Sequence, residues 1–426
     1  MIPATGAALL GLLVLGVPVA AALVLLALGL DLFASRFPLE RALGEVLWGA
    51  SDSFLLIAIP LFVLMGQILV RGGIAERTYR ALEAWLGWLP GGLVHANIGT
   101  ATLFSATSGS SVATAATVAT VAMPQARRLG YDPRLFAGSI AAGGTLGILI
   151  PPSINLIVYG FLTETSIPRL FLAGLLPGLL LAVLFMATAA LICTWRPELG
   201  GPRRPAAWRA RLAGLADLVP VGALFVLVVG AIYTGWATPT EAAALGVAGA
   251  LALAAAHGRC DRTMVAAALD ATVRTTAMIL LVVTAAYFLN FALAAAGVGQ
   301  ALTALLEGLP MGRWGVLAAV ILLYVVLGFF IETLSLMVVT LPIVAPVMIG
   351  LGFDPVWFGV VMIVLVEMAL ITPPVGLNLY VVQGVRGDGR LEQVMLGALP
   401  FVGAMAVLIG LLIAMPGLAL WLPATL

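Results

Sequence analysis

The stretch PQARRLGYDPRLFAGSIAAGGTLGILIPP, from Pro124 to Pro152, decides the fold, because PVMIGLGFDPVWFGVVMIVLVEMALITPP, from Pro346 to Pro374, repeats it without a gap. Pro124/Pro346, Leu129/Leu351, Gly130/Gly352, Asp132/Asp354, Pro133/Pro355, Phe136/Phe358, Pro151/Pro373 and Pro152/Pro374 all stand 222 positions apart. Most of these are Pro, Gly or Asp, which shape backbone rather than fill apolar space. The first copy carries Arg127, Arg128 and Arg134, whereas Met348 to Trp357 holds no basic residue. Arginine marks the cytoplasmic side of a membrane, so the two copies are expected to face opposite ways. Inverted repeats with interrupted helices are the architecture of secondary transporters.

Composition agrees with a membrane setting. Of 426 residues 62% are hydrophobic and 9% charged, against roughly 25% charged in soluble domains, so most of the surface is expected to face lipid. A net charge of +1 argues against nucleic acid as a partner. All 20 basic residues are Arg, which reflects genome composition rather than function. Cys193 and Cys260 are too few and too isolated for a disulfide framework or a metal site. The apolar run from Ala7 to Leu30 is too long for a signal-peptide core and reads as a retained span.

Arginine placement gives an expected topology. Residues 1–195 form the first repeat, 218–426 the second, and 196–217 a cytoplasmic linker with Arg196, Arg203, Arg204, Arg209 and Arg211. The N-terminus then lies inside and the C-terminus outside. Gly91 to Phe104 makes only about 21 Å of helix, short of a ~30 Å hydrocarbon core. A polar run from Ser105 to Ser111 follows, then a second apolar arm, which predicts a re-entrant hairpin over 91–125. The second half repeats the plan over 313–349, with its break from Gly328 to Ser335. Each hairpin precedes a broken helix, 135–162 and 356–383, interrupted at Pro151-Pro152 and Pro373-Pro374. The fold class is therefore an all-α polytopic membrane protein with an inverted repeat, two re-entrant hairpins and two broken helices. Ala34–Asp52 and Gly258–Arg274 read as amphipathic stretches lying along opposite membrane surfaces.

Two adjacent prolines remove two amide donors, and the carbonyls they abandon at membrane depth need water, an ion or another hairpin. Freed carbonyls, small hydroxyls and the negative ends of half-helices suit a dehydrated Na⁺, while the positive ends suit a carboxylate. One candidate site joins the Ser105–Ser108 tip to the backbone of Gly147, Ile150 and Pro152. Its inverted partner joins the Gly328–Thr333 tip to Ala369, Thr372 and Val375. Residues assigned to the substrate are Ser110, Ser111, Thr145, Asn155, Glu332, Thr333 and Asn378. For Asn155 and Asn378, capping of the second half-helix is an equal alternative. The plain alternative for the Ser, Thr, Gly and Pro residues is close helix packing and kinking. Glu332 and Glu367 are the acids deep in predicted spans, where a charge is costly. Glu367 reads as a carboxyl bracing a hairpin against the broken helix, the role of Glu332 stays open, and His95 reads as a helix-packing hydrogen-bonder.

FSATSGSSVATAATVATVAMPQARRLGYDPRLFAGSIAAGGTLGILIPPSINLIVYG (Phe104–Gly160) resembles the first signature of the large membrane subunit of TRAP (tripartite ATP-independent periplasmic) transporters. GFFIETLSLMVVTLPIVAPVMIGLGFDP (Gly328–Pro355) and EMALITPPVGLNLYV (Glu367–Val381) resemble the second, and length and plan match over the whole chain. The resemblance implies a Na⁺-driven elevator in a bacterial inner membrane, importing an organic acid and needing no other cofactor. It implies two partners, a periplasmic binding protein and a small membrane subunit, here expected as a separate chain. Carried over by position, the Na⁺ ligands are Ser105, Ser108, Gly147, Ile150, Pro152, Gly328, Ala369, Thr372 and Val375. The family often has Asp where this chain has Glu332. Rival readings are a one-component carrier of the same architecture, an intramembrane serine protease at Ser108-Gly-Ser110, and a structural scaffold. The protease needs a histidine near the serine, and His95 and His257 are poorly placed for it.

Overall fold

The computed structural model describes residues 8, 11–12, 15–34, 44–49, 52–297, 312–328 and 331–425, without the side chains of 33–34 and 105–108. Every regular element among them is helical. The first half runs α1 (Val19–Ala34), α2 (Ala58–Arg71), α3 (Ile74–Leu86), α4 (Leu93–Ser108), α5 (Ser111–Leu129), α6 (Pro133–Leu149), α7 (Ile154–Leu162) and α8 (Ile167–Trp195). The second runs α9 (Trp208–Tyr233), α10 (Pro239–Ala256), α11 (Arg262–Ala295), α12 (Arg313–Leu327), α13 (Thr333–Gly350), α14 (Pro355–Ala369), α15 (Leu377–Arg386) and α16 (Leu391–Ala414). Among the described residues seven helices are long and apolar enough to cross a membrane, or eight when the α6–α7 pair, bent by 43°, counts as one span.

Local chemistry explains where the broken spans begin. Asp132 caps α6 by accepting from the amides of Arg134 and Leu135, and Pro133 follows at the first helical position. Asp354 does the same for α14 with Val356 and Trp357, and Pro355 takes the equivalent place. Proline costs nothing there, since a first-turn amide has no partner inside the helix. The correspondence extends to the hairpins, where Ser110 caps α5 and Glu332, 222 positions later, caps α13.

The two half-helices before the breaks form the centre of the molecule. Leu135 to Leu149 of α6 and Val356 to Ala369 of α14 are buried throughout. Around α6 lie α16, α4, α5 and α8, while α1, α2, α10 and α11 pack with one another to the side. The broken spans run antiparallel. The Tyr159 hydroxyl near the end of the first donates to the carbonyl of Pro355 at the start of the second, at 2.6 Å. At the other end Arg127 pairs with Asp388 at 3.0 Å, just past α15, and also donates to the carbonyl of Arg386.

Three expectations change in detail. The first hairpin break shrinks to Gly109 and Ser110, because residues 105–108 continue α4 as helix. The segment from Gly258 to Arg274 is no separate surface helix: from Arg262 it is the first part of α11, unbroken to Ala295. Nothing between them could stop it, since Arg262–Ala295 contains neither Gly nor Pro. The last residues of the predicted linker, from Trp208, are the opening turns of α9. Most of Ala34–Asp52 and the start of the run from Ala7 lie outside the described residues.

Candidate functional site

The first hairpin tip presses on the first break. Gly109 turns the chain with φ +58°, and a Cβ there would stand 3.2 Å from Ile154 and 3.5 Å from the carbonyl oxygen of Pro152. A Cβ on Gly147 would stand 3.1 Å from the Ser110 carbonyl oxygen and from Thr114 Oγ1, so only glycine lets the tip approach this closely. Pro151 and Pro152 have no N–H, which leaves the carbonyls of Gly147 and Ile148 without their helical donors. Ile150, Pro151, Pro152 and Ser153 are all buried. This places Gly147, Pro152 and the Ser110 backbone together. Ser105 and Ser108 lie in the last turn of α4, and their side chains fall outside the described residues.

The second hairpin meets the second break at Gly328, where a Cβ would collide with that of Ala369. Its backbone is more fully satisfied than that of the first. The amide of Thr372 donates to Ala369 at 3.2 Å, and the amide of Asn378 reaches back over the break to Leu370 at 3.2 Å. The Thr372 hydroxyl donates to the carbonyl of Met368 at 2.6 Å. Val375 is half-buried and Pro374 exposed, so this break is more open than the first. Glu332 accepts from the amides of Leu334 at 3.1 Å and Ser335 at 3.0 Å, which fixes its carboxylate as the cap of α13.

Beside the breaks, two side-chain bonds join the halves in addition to those of Tyr159 and Arg127. Ser111 Oγ donates to Glu367 Oε2, across 256 residues of sequence. Asn378 Nδ2 donates to the carbonyl of Ala141 in α6 at 3.2 Å. Both converge on Gly144, where a Cβ would stand 2.8 Å from the Ser111 carbonyl oxygen and 3.1 Å from Asn378 Nδ2. Neither asparagine is a cap: Ser153 caps α7 by accepting from Leu156, and Gly376 occupies the cap position of α15. That leaves Asn155 buried with Nδ2 unpartnered, and Thr333 buried with a hydroxyl that has no partner. Thr145 donates to the carbonyl of Ala142 at 2.7 Å and lies against Met405 of α16, on a different side from this seam's hydrogen bonds. His95 binds the carbonyl of Pro90 at 2.7 Å and His257 that of Leu253, so neither serves a hairpin serine. Sequence reasoning passed over Ala141, Gly144 and Thr114. The Gly143-Gly144 pair before the break was the available signal for a close approach.

A buried polar seam between two antiparallel, interrupted spans of an all-helical membrane protein defines a membrane transporter rather than an enzyme. Residues 7–418 match the family described as tripartite ATP-independent periplasmic transporter, DctM component, and the chain belongs to that family. It is 33% identical to the C4-dicarboxylate TRAP transporter large permease protein DctM of Vibrio cholerae, over 98% of this chain and 96% of that protein. It is 34% identical to the sialic acid TRAP transporter large permease protein SiaM of the same species, over 97% of this chain and 96% of that one. The isethionate TRAP transporter permease protein DctMQ of Oleidesulfovibrio alaskensis is 33% identical, with 92% of this chain spanning 62% of that longer protein. Among solved structures the YdaH transporter of Alcanivorax borkumensis shares the fold, with a TM-score of 0.62 at 17% identity, covering 95% of this chain and 99% of that one.

Proposed function

We propose that this chain is the permease subunit of a sodium-driven importer of an organic acid in a bacterial inner membrane. The observation that carries the reading is that each hairpin touches its break at the same repeat position, Gly147 against Ser110 and Thr114 in one half and its equivalent Ala369 against Gly328 in the other. Carbonyls freed by paired prolines beside small hydroxyls favour a cation stripped of water. In this reading Ser105, Ser108, Gly147, Ile150 and Pro152 hold one Na⁺, and Gly328, Ala369, Thr372 and Val375 a second. The named substrates of the relatives, C4-dicarboxylates and sialic acid, are organic acids, which supports a carboxylate here. With no arginine in the seam, the carboxylate is recognised by hydroxyls, amides and helix ends, among them Ser110, Asn155 and Thr333. The hairpins and broken helices move as a body against the frame of α1, α2, α10 and α11, in an elevator cycle. A separate small membrane subunit braces that frame, and a periplasmic binding protein delivers substrate.

Reconstitution tests the reading. Purified chain in liposomes with a Na⁺ gradient should take up no substrate alone. Adding the small subunit and the loaded binding protein should give uptake that stops when the Na⁺ gradient collapses. Robust Na⁺-driven uptake of free substrate by the lone chain would instead make it a one-component carrier.

A further inference from the structure

Two clefts occupy equivalent places in the two repeats. One, of about 240 Å³, lies between the end of α5, the start of α6 and the end of α15, and is lined in part by Met123, Arg127, Arg386 and Asp388. The other, of about 300 Å³, lies between the end of α7, α13 and α11, with Ala345, Ile349, Glu164 and Asn290 among its walls. Ala345 and Ile349 stand 222 positions after Met123 and Arg127, and Glu164 stands 222 before Arg386. At each cleft the second arm of a hairpin packs on the second half of the broken span from the other repeat. Each therefore gathers two helix C-termini, which carry unpaired carbonyls and partial negative charge.

In the first cleft cations answer this charge. Arg127, in the last turn of α5, donates to the carbonyl of Arg386 and pairs with Asp388 at 3.0 Å. Arg386, in the last turn of α15, is buried. Its Nε reaches the same Asp388 oxygen at 3.3 Å, and its Nη2 donates to Gln393 of α16 at 2.6 Å. Gln383 holds the turn by donating to the carbonyls of Asp388 at 3.0 Å and Gly389 at 3.2 Å. The second cleft has none of this. At the same offset Ile349 stands for Arg127, Ser166 for Asp388 and Glu164 for Arg386, and Glu164 makes no ion pair among the described residues. A carboxylate beside two helix C-termini favours their parting.

We propose that Arg127, Arg386 and Asp388 form an ionic lock on the first hairpin, and that its counterpart on the second hairpin is left unlocked, so the two clefts open with unequal ease. The arginines put the locked cleft on the cytoplasmic side. As a gate in a transport cycle the lock rests on the carrier reading above, but the opening of each cleft is readable without transport.

The test uses the full-length chain in detergent at constant Na⁺, in a background without Cys193 and Cys260. Met123→Cys and Ala345→Cys report on the two clefts through their rates of thiol labelling. Static exposure favours Met123, at 6% against 2% for Ala345, whereas the lock reverses the order and makes Ala345→Cys the faster. Asp388→Asn should speed labelling of Met123→Cys severalfold and leave Ala345→Cys unchanged. Arg127→Gln should do the same, and the two together should add little to either alone, because they break one network. Raising KCl should also speed Met123→Cys relative to Ala345→Cys when the lock is intact, since its charges are partly exposed to solvent, and should do so no longer in Asp388→Asn. The salt series decides the matter even where a lock variant does not fold. With the partner chains in liposomes, Asp388→Asn should still use Na⁺ but hold a severalfold smaller accumulation of substrate, because an unlocked inner gate lets it slip back. Three results would overturn the proposal: labelling of Met123→Cys that neither variant nor salt changes, equal acceleration at Met123→Cys and Ala345→Cys, or faster labelling with wild-type accumulation, which makes the network a brace rather than a gate. Wild-type uptake that ignores Na⁺ would sink the carrier reading and leave the labelling results standing.

Discussion

Gly138 of α6 and Gly397 of α16 pack backbone to backbone: a Cβ on Gly138 would strike the Gly397 carbonyl group and stand 2.6 Å from the amide nitrogen of Ala398. A Cβ on Gly397 would in turn strike the carbonyl of Arg134. This crossing carries the central half-helix, and with it the first break, on α16, the last long helix of the chain. Small residues allow such close approach, and backbone cannot move aside as a side chain can.

Gly397→Ala should therefore lower the unfolding midpoint, by an amount equivalent to about 1–3 kcal/mol of overpacking. Gly403→Ala in the same helix, with nothing within 4 Å of the added methyl, should leave it unchanged. Thermal unfolding of the detergent-purified chain compares them directly. Equal midpoints for both variants would mean the helices do not cross here.

The cap at the second hairpin makes a graded prediction. Glu332 satisfies two amides at the start of α13, so Glu332→Ala should cost about 1 kcal/mol and fray that turn. Glu332→Asp, a good capping residue with the charge retained, should restore stability and uptake. Loss of uptake in Glu332→Asp at wild-type stability would assign the carboxylate to ligand rather than to the cap.

If the first tip and the first break share a Na⁺, crowding their contact should weaken it. A methyl at Gly147 would stand 3.1 Å from Ser110 and Thr114, so Gly147→Ala should raise the Na⁺ concentration needed for half-maximal uptake severalfold. Ser108→Ala should do the same by removing an oxygen, with little effect on folding, since alanine suits a helix. Unchanged Na⁺ dependence in both variants would remove these residues from the site.

Opposite orientation of the repeats is open to cysteine labelling in a background without Cys193 and Cys260. Ala126, at the base of the first hairpin, is buried, whereas Arg128 and Gly350 are exposed. Impermeant reagents should reach Arg128→Cys only from the cytoplasm and Gly350→Cys only from the periplasm. Labelling of both from one side would make the repeats parallel.

The breaks and the hairpins were legible because their causes act over a few residues. Asp132-Pro133 and Asp354-Pro355 start helices, and Pro151-Pro152 and Pro373-Pro374 interrupt them, through donors, acceptors and φ angles that belong to the local chain. Even so, local chemistry left Asn155 undecided, and only the orientation of Ser153 in the fold gave that cap to the serine. The family was legible for the same reason, since its long signatures are made of such backbone-shaping residues.

The partners across the seam belonged to the tertiary structure alone. Ser111 finds Glu367 at a separation of 256 residues, and Asn378 finds Ala141 at 237. The repeat would have suggested a symmetric contact between Thr333 and Thr145, the equivalents of Ser111 and Glu367 at the 222-residue offset. Instead Thr145 bonds its own helix. Sequence periodicity sets which residues share a helix face, but not which helix from the other half comes to lie against that face. That choice follows from the summed packing of both halves, down to where two glycines let backbones touch.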